Sequence, residues 1–451
     1  MATENKMGVM PLNRLLISMS VPMMISMLVQ ALYNIVDSMF VAQLSENALT
    51  AVSLAFPAQN LMIAVATGTG VGVNAALSRN LGEKNFERAN KIADHALFLA
   101  ALSYVVFALF GLCFARQFFC LQTDIEEIVD LGTTYLRVCT IASFGLFMEI
   151  ACERLLQSTG KTIYSMYTQG LGAIINIVLD PILIFGLLGF PAMGVRGAAI
   201  ATVIGQIGAF LLYVVVYLHR NPGVTIHPRY LKKDWQLIRK IYSVGIPSSM
   251  MLMMPSLLVS ALNGILAAFS QVYVAVLGIY FKLQTFIYMP ANGMIQGMRP
   301  IIGYNYGAGQ YERVRQTIRY CLLGTAAIML LGTILSLAVP GGILQLFQAD
   351  AELLAEGETA LRIISLGFLI STVGTVFAGV FEALGRGGES LLISLLRQLV
   401  ITVPAGYILS RFLGASGIWI AFPVSELAAS IAAVILLKRY QNGEFFPLKR
   451  D

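Results

Sequence analysis

The stretch Leu15–Val41, LLISMSVPMMISMLVQALYNIVDSMFV, decides how the rest of the chain is read. It is apolar and long enough to cross a bilayer as a helix, since about 20 such residues at 1.5 Å each span the hydrocarbon core. Pro22 stands near its start. Gln30, Tyr33, Asn34 and Asp37 recur at i, i+3, i+4 and i+7, so a helix gathers them on one face. An acid inside a spanning helix is expensive, and it marks a functional site by default. The polar stripe behind Asp37 argues against a mere wet helix end.

Composition places the whole chain in the same class. Of its 451 residues 57% are hydrophobic and 12% charged, with a mean hydropathy of +0.76. A soluble surface needs about a quarter charged residues, so this is a polytopic, all-α membrane protein whose first partner is the lipid bilayer. The pI near 9.0 is not a nucleic-acid signature, because the basic residues are spread along loops. Cys113, Cys120, Cys139, Cys152 and Cys321 have no metal spacing, and His95, His219 and His227 are scattered. They form neither a disulfide framework nor a zinc site; no cofactor or catalytic constellation is expected, and the chain does not read as an enzyme.

Apolar runs give twelve candidate spans, roughly 15–41, 50–76, 93–115, 131–155, 163–187, 196–218, 241–266, 272–298, 317–338, 357–381, 389–410 and 415–437. With both termini on the cytoplasmic side, only Arg116, Arg196 and Arg411 fall in the opposite loops. Those loops carry acids instead, Asp124, Glu126 and Glu127, then Asp350, Glu352 and Glu356. This is the positive-inside bias of a multi-pass plasma-membrane protein. The basic loop His219–Lys240, with Arg220, Arg229, Lys232, Lys233 and Arg239, divides the chain into lobes 1–218 and 241–451, with 219–240 as cytoplasmic linker.

The lobes are repeats. A shift of 225 positions (247 − 22) lays Pro22 on Pro247, Phe56 on Phe281, Gln59 on Gln284, Gly68 on Gly293 and Gly72 on Gly297. It also lays Asn80-Leu81-Gly82 on Asn305-Tyr306-Gly307, Arg137 on Arg362 and Gly160 on Gly385. Gly194 and Gly197 answer Gly414 and Gly417 after a small deletion. Six spans per copy make the repeat parallel, related by an axis along the membrane normal, with substrate sites expected near the midplane.

The copies differ where chemistry would sit. Asp37 falls on Leu262 and Asn34 on Val259. Asn176 and Asp180, one turn apart before Pro181, face an aliphatic stretch, and Thr202 meets Phe422. Two carboxylates with amide and hydroxyl oxygens suit a proton site or a Na+ site equally. Pro181 also frees a backbone carbonyl one turn earlier as a further ligand. Glu149 is a possible pathway residue, while Glu153 is expected to pair with Arg154 or a loop base. Glu382 and Arg386, one turn apart, read as a structural pair. Lys282, Arg397 and Glu426 are buried by sequence position and could line a cavity in the second lobe.

The chain resembles the multidrug and toxic compound extrusion (MATE) transporters over essentially its whole length. The resemblance rests on LYNIVDSMFVAQL, GVGVNAALSRNLGEKNFERA and its counterpart GMRPIIGYNYGAGQYERVRQ. The QSTGKT and EALGRGGES turns and NIVLDPILIFG complete it. It implies twelve transmembrane helices in two pseudo-symmetric six-helix lobes. The implied activity is a secondary active multidrug exporter in which H+ or Na+ drives out amphipathic, often cationic compounds by alternating access. The branch with acids in the first lobe would place the ion at Asp37, Asn176, Asp180 and Thr202, with Gln30 and Tyr33 beside it. Span seven, Ile241–Leu266, lacks the acid that another branch carries. Ion binding is expected to bend or shift span one near Pro22, and the protein is expected to be monomeric.

The alternative within transport is a flippase for lipid-linked saccharides, which needs a cavity ringed with basic residues such as Lys282 and Arg397. A membrane-embedded transferase would need ligands or a nucleophile that are missing. A pore would draw its ring from symmetric positions. Gly160-Lys161-Thr162 lacks the upstream glycine and strand of a phosphate loop.

Overall fold

A computed structural model describes residues 5–220, 223–227, 234–345 and 351–441. Its helices, in order, are α1 (Lys6–Val9), α2 (Leu12–Ala42), α3 (Glu46–Gly82), α4 (Phe86–Cys120), α5 (Glu126–Ile141), α6 (Phe144–Ser158), α7 (Thr162–Phe185) and α8 (Val195–Arg220). The second half holds α9 (Trp235–Leu266), α10 (Gln271–Gly307), α11 (Tyr311–Ala338), α12 (Pro340–Gln345), α13 (Ala351–Ala383), α14 (Gly387–Leu395), α15 (Thr402–Leu413) and α16 (Ala415–Gln441). Among the described residues, eleven helices or continuous helical stretches are long and apolar enough to cross a membrane, and a bent pair brings the number to 12. Arg229, Lys232, Lys233 and Asp350, which carry part of the loop charge pattern, lie outside the described residues.

Two spans are less regular than apolar runs predict. The fourth is not one helix: α5 and α6 meet at a 45° bend. The break has a local cause, because Thr140 donates its hydroxyl to the Leu136 carbonyl (2.7 Å) and Ser143 to that of Thr140 (2.7 Å). Side-chain hydroxyls there take carbonyls that a straight helix would bond itself. The eleventh span, Gly387–Leu413, is continuous but widens into a π turn over Leu396–Val400. The Thr402 hydroxyl donates to the Arg397 carbonyl at 2.6 Å within that wider turn.

The repeat is visible in three dimensions. α3 and α10 both have 37 residues and begin behind serine caps, Ser45 and Ser270, whose hydroxyls accept from Ala48 N (3.0 Å) and Val272 N (3.3 Å). The lobes meet along two reciprocal seams, α3 on α9 and α10 on α2. In each seam a small-xxx-small notch lies against the proline turn of the opposite lobe. Gly68 and Gly72 face Ile241–Ser249, and Gly293 and Gly297 face Ser20–Met24. A Cβ at 72 would stand 2.1 Å from the Ile241 carbonyl oxygen, and one at 297 would stand 2.8 Å from Ser20 Cα. Backbone therefore meets backbone, which only glycine permits.

These seams occupy the end of the bundle that carries the N-terminus. Toward the other end the lobes part, and residues facing the gap, such as Phe56, are exposed. The N-terminal segment crosses the seam. Met7 is fully buried in a core built from the start of α2 and from α10, α11, α13, α14 and α16 of the second lobe. Its carbonyl accepts from Asn305 Nδ2 (3.0 Å) and Arg313 Nη2 (3.1 Å), and the Met10 carbonyl accepts from Arg313 Nη2 (2.8 Å). The repeat places residues 1–218 in the first lobe, yet this opening stretch is anchored in the second.

Candidate functional site

α2 packs along α7, and α7 along α8, so the three helices that carry the first-lobe polar residues adjoin. Asp37 on α2 and Asp180 on α7 bring their carboxyl groups close enough to interact directly. Asp180 is fully buried and Asn176 nearly so, whereas Asp37 is half-buried. The Asn176 amide, oriented by its partners, donates from Nδ2 to Asp180 Oδ2 (3.2 Å). Its oxygen accepts from the Thr202 hydroxyl (3.1 Å) and Thr202 N (3.2 Å). Oδ1 of both aspartates is buried without a partner. Two carboxyl groups this close in such an interior need a shared proton, or a cation between them, to balance their charge.

A cavity of about 240 Å³ adjoins this cluster, lined by Gln30, Tyr33, Glu149, Asn176 and Thr202 among others. Tyr33 and Gln30 both line this cavity, and Glu149 lies within electrostatic reach of Tyr33. Asn34, by contrast, is exposed and lines neither this cavity nor the larger one. The i, i+3, i+4, i+7 spacing spreads residues over a broad face, and Asn34 falls at its margin.

The larger cavity, about 780 Å³, lies between the lobes and extends into the second. It lies within the size range of small-molecule sites. Arg397 and Glu426 both line it and are paired, Nε to Oε1, at 2.7 Å. The Arg397 guanidinium also sits over the Tyr288 ring, 5.5 Å from its centroid. Lys282 is the exception to the sequence reading: it is exposed and does not line the cavity. Position in an apolar run fixes depth but not azimuth; Phe281, Gln284, Thr285 and Tyr288 hold the cavity face of α10, and residue 282 points elsewhere.

Glu382 and Arg386 are also not a pair. Gly385 turns the chain with φ +80°, which ends α13 and destroys the one-turn spacing. Glu382 instead pairs with Arg299 and accepts from the Ser248 hydroxyl at 2.6 Å, while Arg386 stands 3.8 Å from Glu389. Glu153 forms no ion pair with Arg154 at contact distance but is bridged to it by Gln157, whose Nε2 donates to Glu153 Oε1 (2.7 Å) and whose Oε1 accepts from Arg154 Nη1 (2.8 Å). The sequence reading treated Arg154 as a pairing partner for Glu153 and did not consider Arg299 or Gln296. All three line the cleft floor. The available signal was a second charge beside Glu153 within an otherwise apolar run. Among the described residues no group of three or more His, Cys, Asp or Glu could hold a metal ion, and all five cysteines are free.

The comparisons with known proteins agree with this architecture. The multidrug export protein MepA of Staphylococcus haemolyticus is 25% identical over 424 residues, covering 94% of this chain and 92% of that one. MepA of Staphylococcus aureus is 24% identical over 428 residues, covering 95% and 94%. A solved MATE structure in complex with MaL6 superposes with a TM-score of 0.91 at 26% identity, covering 97% of this chain and 98% of the other. An outward-facing MATE transporter of the MOP superfamily gives 0.90 at 26% identity and the same coverage. The MatE family profile matches residues 22–182 and 247–408, one block per lobe, and the chain belongs to the MatE family.

Proposed function

We propose that this protein is a secondary active multidrug exporter of a prokaryotic plasma membrane, exchanging H+ or Na+ for amphipathic, often cationic organic compounds. The observation that carries this reading is the juxtaposition of Asp37 and Asp180, held by Asn176 and Thr202 in one lobe alone. A symmetric repeat used only for stability has no need of two neighbouring buried acids without a basic partner in a single copy, whereas the buried acids of the second lobe, Glu382 and Glu426, are each paired with an arginine. The names of the MepA relatives and the outward-facing MATE structure support export as the direction of work. In this reading the glycine seams seal the cytoplasmic side, the cleft opens outward, and the lobes rock to reverse that arrangement. Occupancy of the carboxyl pair and of the drug cavity are linked, so each ligand changes affinity for the other by the same factor. The flippase reading has lost support, since Lys282 is exposed and Arg397 is paired with Glu426.

The deciding experiment is ethidium efflux from right-side-out vesicles lacking native pumps, with pH and sodium gradients imposed separately. Wild type should respond to one gradient or both, and Asp37→Asn and Asp180→Asn should abolish the response. No gradient-driven efflux from correctly inserted wild type would overturn the assignment.

A further inference from the structure

We propose that Arg154, at the floor of the inter-lobe cleft, is an anion-binding subsite that receives a carboxylate or phosphate group of an amphipathic ligand. The proposal extends the exporter reading and rests on it. Four charged groups of the large cavity are already paired, Arg299 with Glu382 and Arg397 with Glu426. Arg154 is not. It is 6% exposed, lines both cavities, and has no carboxylate oxygen within 4.0 Å among the described residues. Its guanidinium touches only neutral amides, Gln157 Oε1 at 2.8 Å and Gln296 Oε1 at 3.4 Å, and its Nε–H is buried without a partner. The neighbouring Arg299 also has a buried Nε without a partner; it lies within electrostatic reach of Arg154, as do the acids Glu153 and Glu382, neither of which is in ion-pair contact with Arg154. A buried guanidinium whose hydrogen bonds go to neutral amides and whose Nε–H is unused has donors left for an incoming anion.

The repeat shows that the fold does not require this arginine. Under the 225-position shift Arg154 corresponds to Gly379, and Gly70 to Ile295. In the first lobe the Arg154 side chain lies over Gly70, where a Cβ would stand 2.5 Å from Arg154 Cγ. In the second lobe the exchange is reversed, and Ile295 fills the space beside Gly379, 2.4 Å from where a Cβ would stand. One scaffold packs the same position with a hydrocarbon in one copy and with a guanidinium facing the cleft in the other. The guanidinium fork suits bidentate recognition of a planar carboxylate or a phosphate.

The test is equilibrium binding to purified full-length protein in phosphatidylcholine nanodiscs. The probes are a rhodamine with a free carboxylate and the methyl ester of the same dye. Wild type should prefer the free acid, and Arg154→Gln should remove that preference, a change of about 10- to 100-fold in the affinity ratio. Arg154→Lys, which keeps the charge but loses the fork, should retain part of it, and this variant decides if Arg154→Gln is not monodisperse. Nanodiscs containing phosphatidylglycerol distinguish the source of the anion: loss of the acid preference there assigns the subsite to a lipid phosphate. Equal binding of acid and ester by wild type without anionic lipid, or an unchanged ratio in both variants, overturns the proposal. Ethidium efflux by the same wild type, measured in parallel, separates that failure from failure of the exporter reading.

Discussion

Gly72→Ala should loosen the contact between the lobes while leaving each lobe intact. The added Cβ would stand 2.1 Å from the Ile241 carbonyl oxygen and 2.9 Å from its carbon, and both atoms are helical backbone that cannot rotate away. Ordinary contact begins near 3.4 Å, so α3 and α9 must separate there by about 1.3 Å (3.4 − 2.1). Overpacking of this kind costs about 1–3 kcal/mol, a roughly 5- to 150-fold bias against the state with this seam closed. By the repeat, Gly297→Ala should act alike, since its Cβ would meet Ser20 Cα and N at 2.8 Å. Gly278→Ala, with nothing within 4 Å, is the control. Spin labels at Lys84 and Ala308, exposed turns in corresponding places of the two lobes, report the separation by pulsed electron resonance. Both seam variants should enrich a longer distance. Unchanged distances in both, or the same shift in Gly278→Ala, would refute the reasoning.

Removing one partner of the buried Arg397–Glu426 pair should destabilise strongly: Arg397→Met leaves an uncompensated carboxylate and should cost about 3–5 kcal/mol in thermal unfolding, and adding Glu426→Gln should recover most of it. A double variant as unstable as Arg397→Met alone would contradict this. Arg313→Ala removes bonds to the Met7 and Met10 carbonyls and to Asn305 Oδ1 (3.0 Å). It should raise protease cleavage within the first dozen residues about tenfold or more, for a loss of about 1.5–3 kcal/mol. Unchanged cleavage would show that burial of Met7 alone holds the segment.

The spans and the duplication were legible because they depend on period and composition, which a chain displays directly. α3 and α10, 37 residues each and offset by 225, are the clearest case. Asp37, Asn176, Asp180 and Thr202 stood out as polar residues in apolar runs, but their proximity depends on how α2, α7 and α8 pack. The bend at Ala142–Ser143 was invisible because serine and threonine, unlike proline, break helices only in some contexts. The π turn at Leu396–Val400 left no composition signal at all. Lys282 and Asn34 were misjudged because an apolar run gives depth and not azimuth. Glu382 was given the wrong partner because Gly385 was not read as the end of its helix.

The N-terminal segment bears on how the halves can move. Asp37 lies on α2, which packs with α7 of the first lobe, while the chain just before α2 is fastened to Arg313 and Asn305 of the second. The covalent crossing after His227 is likewise fastened on its first-lobe side, where Thr225 N donates to Asn90 Oδ1 (2.8 Å) and His227 N to Asp94 Oδ1 (3.1 Å). For lobes that rock as proposed, the tie from Met7 and Met10 to Arg313 would act as a tether between the halves, and cutting it would add a direction of swing.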